Sequence, residues 1–175
     1  MVKCGNKNLI LHYNQCKVTT MSYLTGEFEC KLDTKGRMMI PAGLKKKLPE
    51  ADSEGLVINR GFKKYLVIYT KKEWDKKLDE LNKLNQYESK NIEFIRYFTR
   101  GATELTLDST GRINLPKLLL DYAKIDSDVV LTCQINKIEV WDKEAYRLMI
   151  ENEPDNFADL AEEVMGSKGK ETTNG

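Results

Sequence analysis

From Glu27 to Leu32 apolar and charged positions alternate without a break. Phe28, Cys30 and Leu32 fall on one side, and Glu27, Glu29 and Lys31 on the other. A period of two predicts a strand with one buried face. The pattern stops at Asp33-Thr34-Lys35-Gly36. There an Asp can bond its own backbone two residues on, and a Gly can take the positive φ of a tight hairpin. Arg37 opens the return strand, and Pro41 stands where a helix begins, with φ already fixed. The helix runs to Leu48 and carries Lys45-Lys46-Lys47 in its last turn, where basic side chains suit the helix dipole. The whole run then occurs again. Gly26, Leu32, Asp33, Gly36, Arg37 and Pro41 recur as Gly101, Leu107, Asp108, Gly111, Arg112 and Pro116, at one constant offset of 75 residues. An internal repeat sets the architecture before any local element does.

After each hairpin and short helix come two further apolar runs. In the first copy they are Leu56–Asn59 and Tyr65–Tyr69, joined by the basic loop Arg60-Gly61-Phe62-Lys63-Lys64. In the second, Leu118, Leu119, Leu120 and Tyr122 follow Pro116 on a helix, and the strands are Val129–Thr132 and Lys137–Trp141. Trp141 stands where Tyr69 stands, both read as core anchors, at an offset of 72. Thr70-Lys71-Lys72-Glu73 is a capping box. The helix it starts has Trp74, Leu78, Leu81 and Leu84 on one stripe, and Asn85-Gln86-Tyr87-Glu88 ends it. A second helix over about 89–99 turns Ile92, Ile95 and Phe98 inward. Asp142 caps a later helix holding Tyr146 and Ile150, and Phe157, Leu160, Ala161 and Val164 mark another amphipathic turn or two. The expected organisation is a disordered or mis-started extension over 1–21, a repeat over 27–73, a helical connector over 74–100, a second repeat over 102–145, a helical region over 146–166 and a disordered polar tail over 167–175.

Composition narrows the chemistry. With 28 basic and 27 acidic residues the net charge is +1, so the chain is not a polycation. Local charge differs: Lys31, Lys35, Arg37, Lys45, Lys46 and Lys47 face one acid, Asp33, between positions 31 and 47. No run approaches the ~18–20 apolar residues of a membrane-spanning helix. Cys4, Cys16, Cys30 and Cys133 fit no zinc spacing, and His12 is the one histidine, so no metal or other cofactor is expected. Cys30 and Cys133 lie on strand patterns and read as buried free thiols, which fits a reducing, cytoplasmic setting. No nucleophile–base pair or phosphate-cradling loop is visible, so neither an enzyme nor a small-molecule substrate is expected. Asp33 with Asp108 would be the only acid/base pair across the repeats, and the adjacent arginines would hold both ionised.

The paired Asp-x-x-Gly-Arg runs, with Leu66–Tyr69, Glu73-Trp74, Arg100-Gly101-Ala102 and Asn136–Asp142, resemble the MraZ family over about residues 21–146. The resemblance implies an α+β fold: a pseudo-dimeric, swapped-hairpin β-barrel of the SpoVT/AbrB type, built from both repeats, with connecting helices and a C-terminal helix. It implies a sequence-specific DNA-binding transcriptional regulator, a repressor, of the cell-division and cell-wall gene cluster that includes its own gene. Such a protein would act as a closed ring on direct repeats in double-stranded DNA, in the cytoplasm and at the nucleoid. The alternative is an AbrB-like antitoxin or an assembly module without promoter-specific binding.

Arg37, Lys35, Lys31 and Arg112 are the candidate DNA contacts, since guanidinium forks suit phosphates or the guanine O6/N7 edge. Asp33, Gly36, Asp108 and Gly111 are read as turn residues. For each Asp–Arg pair a purely structural ion pair remains open. The second copy is less basic, with Thr106 for Lys31, Thr110 for Lys35 and Leu120-Asp121-Tyr122 for the lysine run. The first copy is therefore expected to dominate DNA contact, and Arg112 reads either as a contact or as structural only. The lysine run and the 60–64 loop read either as solvated surface or as phosphate contacts.

Overall fold

The computed structural model of the chain describes residues 23–152 and 156–166. The expected N-terminal extension and polar tail lie outside the described residues, as do Cys4, Cys16 and His12. In chain order the elements are β1 (Leu24–Lys31), β2 (Arg37–Met39), α1 (Ala42–Lys45), α2 (Ala51–Glu54), β3 (Leu56–Arg60), β4 (Leu66–Thr70), α3 (Lys71–Asn82), α4 (Ser89–Thr99), β5 (Thr103–Leu105), β6 (Arg112–Asn114), α5 (Lys117–Ala123), β7 (Asp128–Ile135), β8 (Lys137–Asp142), α6 (Lys143–Glu151) and α7 (Phe157–Gly166). Pro41 and Pro116 are the residues before α1 and α5. The Thr70 side chain accepts from the Glu73 amide, and Asp142 accepts from the amides of Glu144 and Ala145, so both predicted caps form. The helix expected to reach Leu48 is shorter, and α2 is a second short turn that follows it.

Among the described residues, six strands form one antiparallel sheet in the order β1-β7-β8-β4-β3-β5. Strands β2 and β6 pair separately as a two-stranded ribbon. Only β3–β4 and β7–β8 join strands of one repeat. The pairs β1–β7, β4–β8, β3–β5 and β2–β6 each join one repeat to the other. A hairpin alone is at best marginally stable, so the two copies complete each other's hydrogen bonding.

The sheet is covered on both faces, which is why its central strands read as continuous apolar runs rather than alternations. On one face Ile58, Leu66, Leu131 and Val140 pack with Met38 and Ile113 of the ribbon and with Leu44 and Leu119 of the short helices. On the other, Val57, Val67, Tyr69, Val130 and Trp141 pack with Trp74 and Tyr146. Rings interlock on this second face: Tyr65 stacks on Trp141 at 4.3 Å and Trp74 on Phe98 at 5.8 Å. Tyr69 and Trp141 are thus both core residues. Glu139 is buried among these rings, where it accepts hydrogen bonds from Lys137 Nζ and Trp141 Nε1.

Two burial expectations, for α4 and for the cysteines, need correction. Helix α4 holds no buried residue, and Ile92 is exposed, while Ile95 and Phe98 are half-buried. The contacts that anchor α4 gather at Phe98, whose carbonyl accepts from Asn59 Nδ2 at 2.6 Å, so its earlier turns stand off the sheet. On α6 Tyr146 is buried, but Ile150 is exposed. Cys30 and Cys133 are free thiols but only half-buried; that burial raises the pKa of each.

Met38 is 1% exposed beneath the ribbon, whereas its neighbour Met39 is 50% exposed above it. Met38→Ala is therefore expected to lower the unfolding free energy by about 2–5 kcal/mol in urea titrations. Met39→Ala should stay within about 0.5 kcal/mol of the parent.

Candidate nucleic-acid interface

Both hairpin turns close in the same way. The amide of Gly36 donates to Asp33 O at 2.9 Å and that of Gly111 to Asp108 O at 2.9 Å. Each glycine has positive φ, 75° and 80°. A Cβ on Gly36 would lie 3.2 Å from Leu115 O, because the two hairpins meet backbone to backbone. Leu115 N donates to Gly36 O and Ile40 N to Gly111 O, so each turn is tied to the strand of the other repeat.

Between these ties runs the ribbon, with Arg37 opposite Asn114, Met38 opposite Ile113 and Met39 opposite Arg112. Side chains alternate across a strand. Met38 and Ile113 point into the core, and Arg37, Met39, Arg112 and Asn114 share the outward face. The two arginines thus lie at diagonal corners of one small exposed patch.

The corners differ. Asp33 Oδ2 accepts from Arg37 Nε at 2.8 Å and Nη2 at 2.7 Å, a two-point ion pair. Its Oδ1 accepts from the amides of Lys35 and Arg37. In the second turn Asp108 Oδ1 accepts from the Thr110 hydroxyl at 2.6 Å and from the amides of Thr110 and Arg112. All three of these bonds fall on Oδ1, and the Arg112 guanidinium makes no hydrogen bond or ion pair among the described residues. The less basic second turn suggested that Arg112 was the arginine with a structural job. In the structure the ion pair belongs to Arg37. The Asp33 contacts use Nε and Nη2 and do not engage its Nη1 group.

Asp33 is held at a pKa of about 2, first by the Arg37 amide and then by the Arg37 side chain. Asp108 is also held at about 2, first by the Thr110 hydroxyl and then by the Arg112 amide. Both carboxylates are therefore ionised near neutrality.

The candidate lysines divide. Lys35 is exposed in the first turn, on the rim of an open groove of about 600 Å³ that also holds Asn114, Lys117, Asp121 and Asp126. Lys31 pairs with Asp128 at 3.5 Å but stays well exposed. Lys45 pairs with Asp52 at 3.1 Å, and Lys47 donates to Thr25 O at 2.7 Å. The lysine run is therefore partly engaged within the protein. In the 60–64 loop the Arg60 guanidinium and Lys64 ammonium both lie over the Tyr122 ring, at 4.6 and 4.4 Å. Tyr122 also donates to Gly61 O and Lys63 O, which fixes this loop against α5.

Met39 and Asn114 were not among the sequence candidates. The signal was present: each lies two residues beyond its arginine, at the same offset of 75, and so must share its face. Among the described residues no three His, Cys, Asp or Glu side chains group as a metal site, and no helix is long and apolar enough to cross a membrane.

The chain matches a family model described as "MraZ protein, putative antitoxin-like" over residues 23–94 and 98–167. It is similar to a protein of Flavobacterium psychrophilum named transcriptional regulator MraZ, 45% identical over 148 residues, which cover 84% of this chain and 94% of that one. A protein of the same name from Christiangramia forsetii is 44% identical, with coverage of 84% and 96%. Another from Cytophaga hutchinsonii is 34% identical, with coverage of 86% and 100%.

The turn carboxylates have lower pKa values in the folded chain than the ordinary 3.8. Their contribution to stability is complete above pH 3.8 and is lost as pH falls through about 2. Across that window the wild type should lose stability more steeply than Asp33→Asn/Asp108→Asn in urea unfolding. Parallel curves would show that the turns carry no such linkage.

Proposed function

This chain belongs to the MraZ family, and on that premise we propose that it is a transcriptional regulator that binds double-stranded DNA through the β2–β6 ribbon. The observation that carries this reading is the outward face on which Arg37 and Arg112 stand together with no acid between them. A two-stranded antiparallel ribbon fits the major groove, and guanidinium groups there suit guanine O6 and N7. Asp33 orients Arg37 by its Nε side and leaves the Nη1 edge for DNA. Lys35 and Lys31, near the turn, would contact phosphates and set the register. The ribbon and sheet together are read as the swapped-hairpin barrel, formed by repeats over about 27–73 and 102–145.

With a net charge of +1, one copy offers little non-specific attraction. Several copies on repeated sites would add their contacts through effective concentration. The proposed working form is a closed ring on direct repeats upstream of the cell-division and cell-wall gene cluster, which it represses together with its own gene, at the nucleoid in the cytoplasm. An apolar face supports self-association: Phe62 is 81% exposed, and Phe94 and Tyr97 stand beside it. The same face, with the antitoxin-like family description, supports a second reading as an antitoxin or assembly module without promoter binding.

A mobility shift on the DNA upstream of the protein's own gene, at ~50 and ~200 mM salt, separates these readings. The regulator reading expects specific binding that weakens steeply with salt. Arg112→Ala, which breaks no ion pair, should weaken specific binding by about 1–3 kcal/mol. Arg37→Ala should weaken it by at least as much. A folded, self-associating wild type that binds no upstream DNA specifically would favour the assembly reading.

A further inference from the structure

The ribbon's outward face is not symmetric. Asn114 stands opposite Arg37, and the position related to it by the repeat is Met39, opposite Arg112. Asn114 is exposed, and its amide bonds to no described residue. Asparagine is disfavoured in strands, and a β-branched residue would hold this edge better. Its pseudo-mate is a methionine, so the fold does not require an amide here.

Taking the DNA-binding reading above as its basis, we infer that Asn114 is a specificity-determining residue that reads an adenine next to the base read by Arg37. The argument is geometric and chemical. Directly opposed residues on an antiparallel pair have Cβ atoms about 5 Å apart. Stacked base pairs rise by about 3.4 Å. Two opposed side chains on a ribbon in the groove therefore reach neighbouring base pairs. In the major groove adenine offers the N7 acceptor beside the N6 donor, which matches the donor and acceptor of one asparagine amide. Arg37 beside it prefers guanine, so this corner selects adjacent guanine and adenine. At the opposite corner Met39 gives Arg112 an apolar neighbour, which suits a thymine methyl group and not an amide-reading edge. The two ends of the ribbon thus ask for different dinucleotides, and this difference sets the orientation of each subunit on a direct repeat.

The test measures binding of the full chain to the upstream duplex and to a panel of duplexes that each change one base pair. Wild type is expected to lose roughly 5- to 100-fold affinity when one particular A·T pair is replaced. Asn114→Ala should bind all duplexes with that one preference removed and the others kept. Asn114→Asp, which can accept from cytosine N4, should move the preference at that pair from A·T to C·G. Both changes are at an exposed side chain with no partner, and a urea titration confirms that each variant is folded. Discrimination by Asn114→Ala equal to wild type at every pair would overturn the inference and leave the DNA-binding reading intact. Absence of any sequence preference in wild type would overturn both.

Discussion

The structure depends on strand pairing between two copies of one short sequence pattern. Four of the strand pairings join one repeat to the other, and the sheet cannot be assembled from either repeat alone. The cause is local. Each Asp-x-x-Gly-Arg turn leaves a return strand of only three residues, too short to hold itself, and each return strand finds its partner in the other repeat. The Gly36–Leu115 and Gly111–Ile40 backbone bonds then lock the two turns side by side. The same geometry that closes the core places both arginines on one outward face.

Once the turns are locked, small changes between the copies matter. Both aspartates do the same backbone work, but Asp33 also takes the Arg37 guanidinium on Oδ2, whereas Asp108 takes the Thr110 hydroxyl on Oδ1. Arg37 is held by its aspartate, and the Arg112 guanidinium makes no bond among the described residues. Exposed ion pairs contribute little to stability, so the Asp33–Arg37 pair is better understood as orientation of a guanidinium than as a strut. The two corners therefore differ: one guanidinium is held by its own turn, and the other is not.

Much of this was legible in the sequence. The constant offset of 75 gave the repeat, the alternation from Glu27 to Leu32 gave the first strand, and Thr70 and Asp142 gave the helix caps. These signals are local, and the chain satisfies them within a few residues. The misses are long-range. Ile92 lies on a good helical stripe, but whether a stripe is covered depends on where the helix is anchored, and α4 is pinned at Phe98. The ion pair belongs to Arg37 and not Arg112, a side-chain geometry that no periodicity reveals. Asn114 and Met39 were visible as positions; their meaning required the β2–β6 register, which pairs residues 73 to 77 apart.

The most direct test of the claim that this ribbon is the DNA-facing surface is a methyl NMR titration of methionine-labelled protein with the upstream duplex. Met39 lies on the outward face, Met38 directly beneath it, and Met149 and Met165 on α6 and α7. The account predicts a large, saturable shift of the Met39 methyl with little change at Met149 and Met165. A Met39 signal that stays fixed while Met149 or Met165 moves, in a protein that binds the duplex, would contradict it.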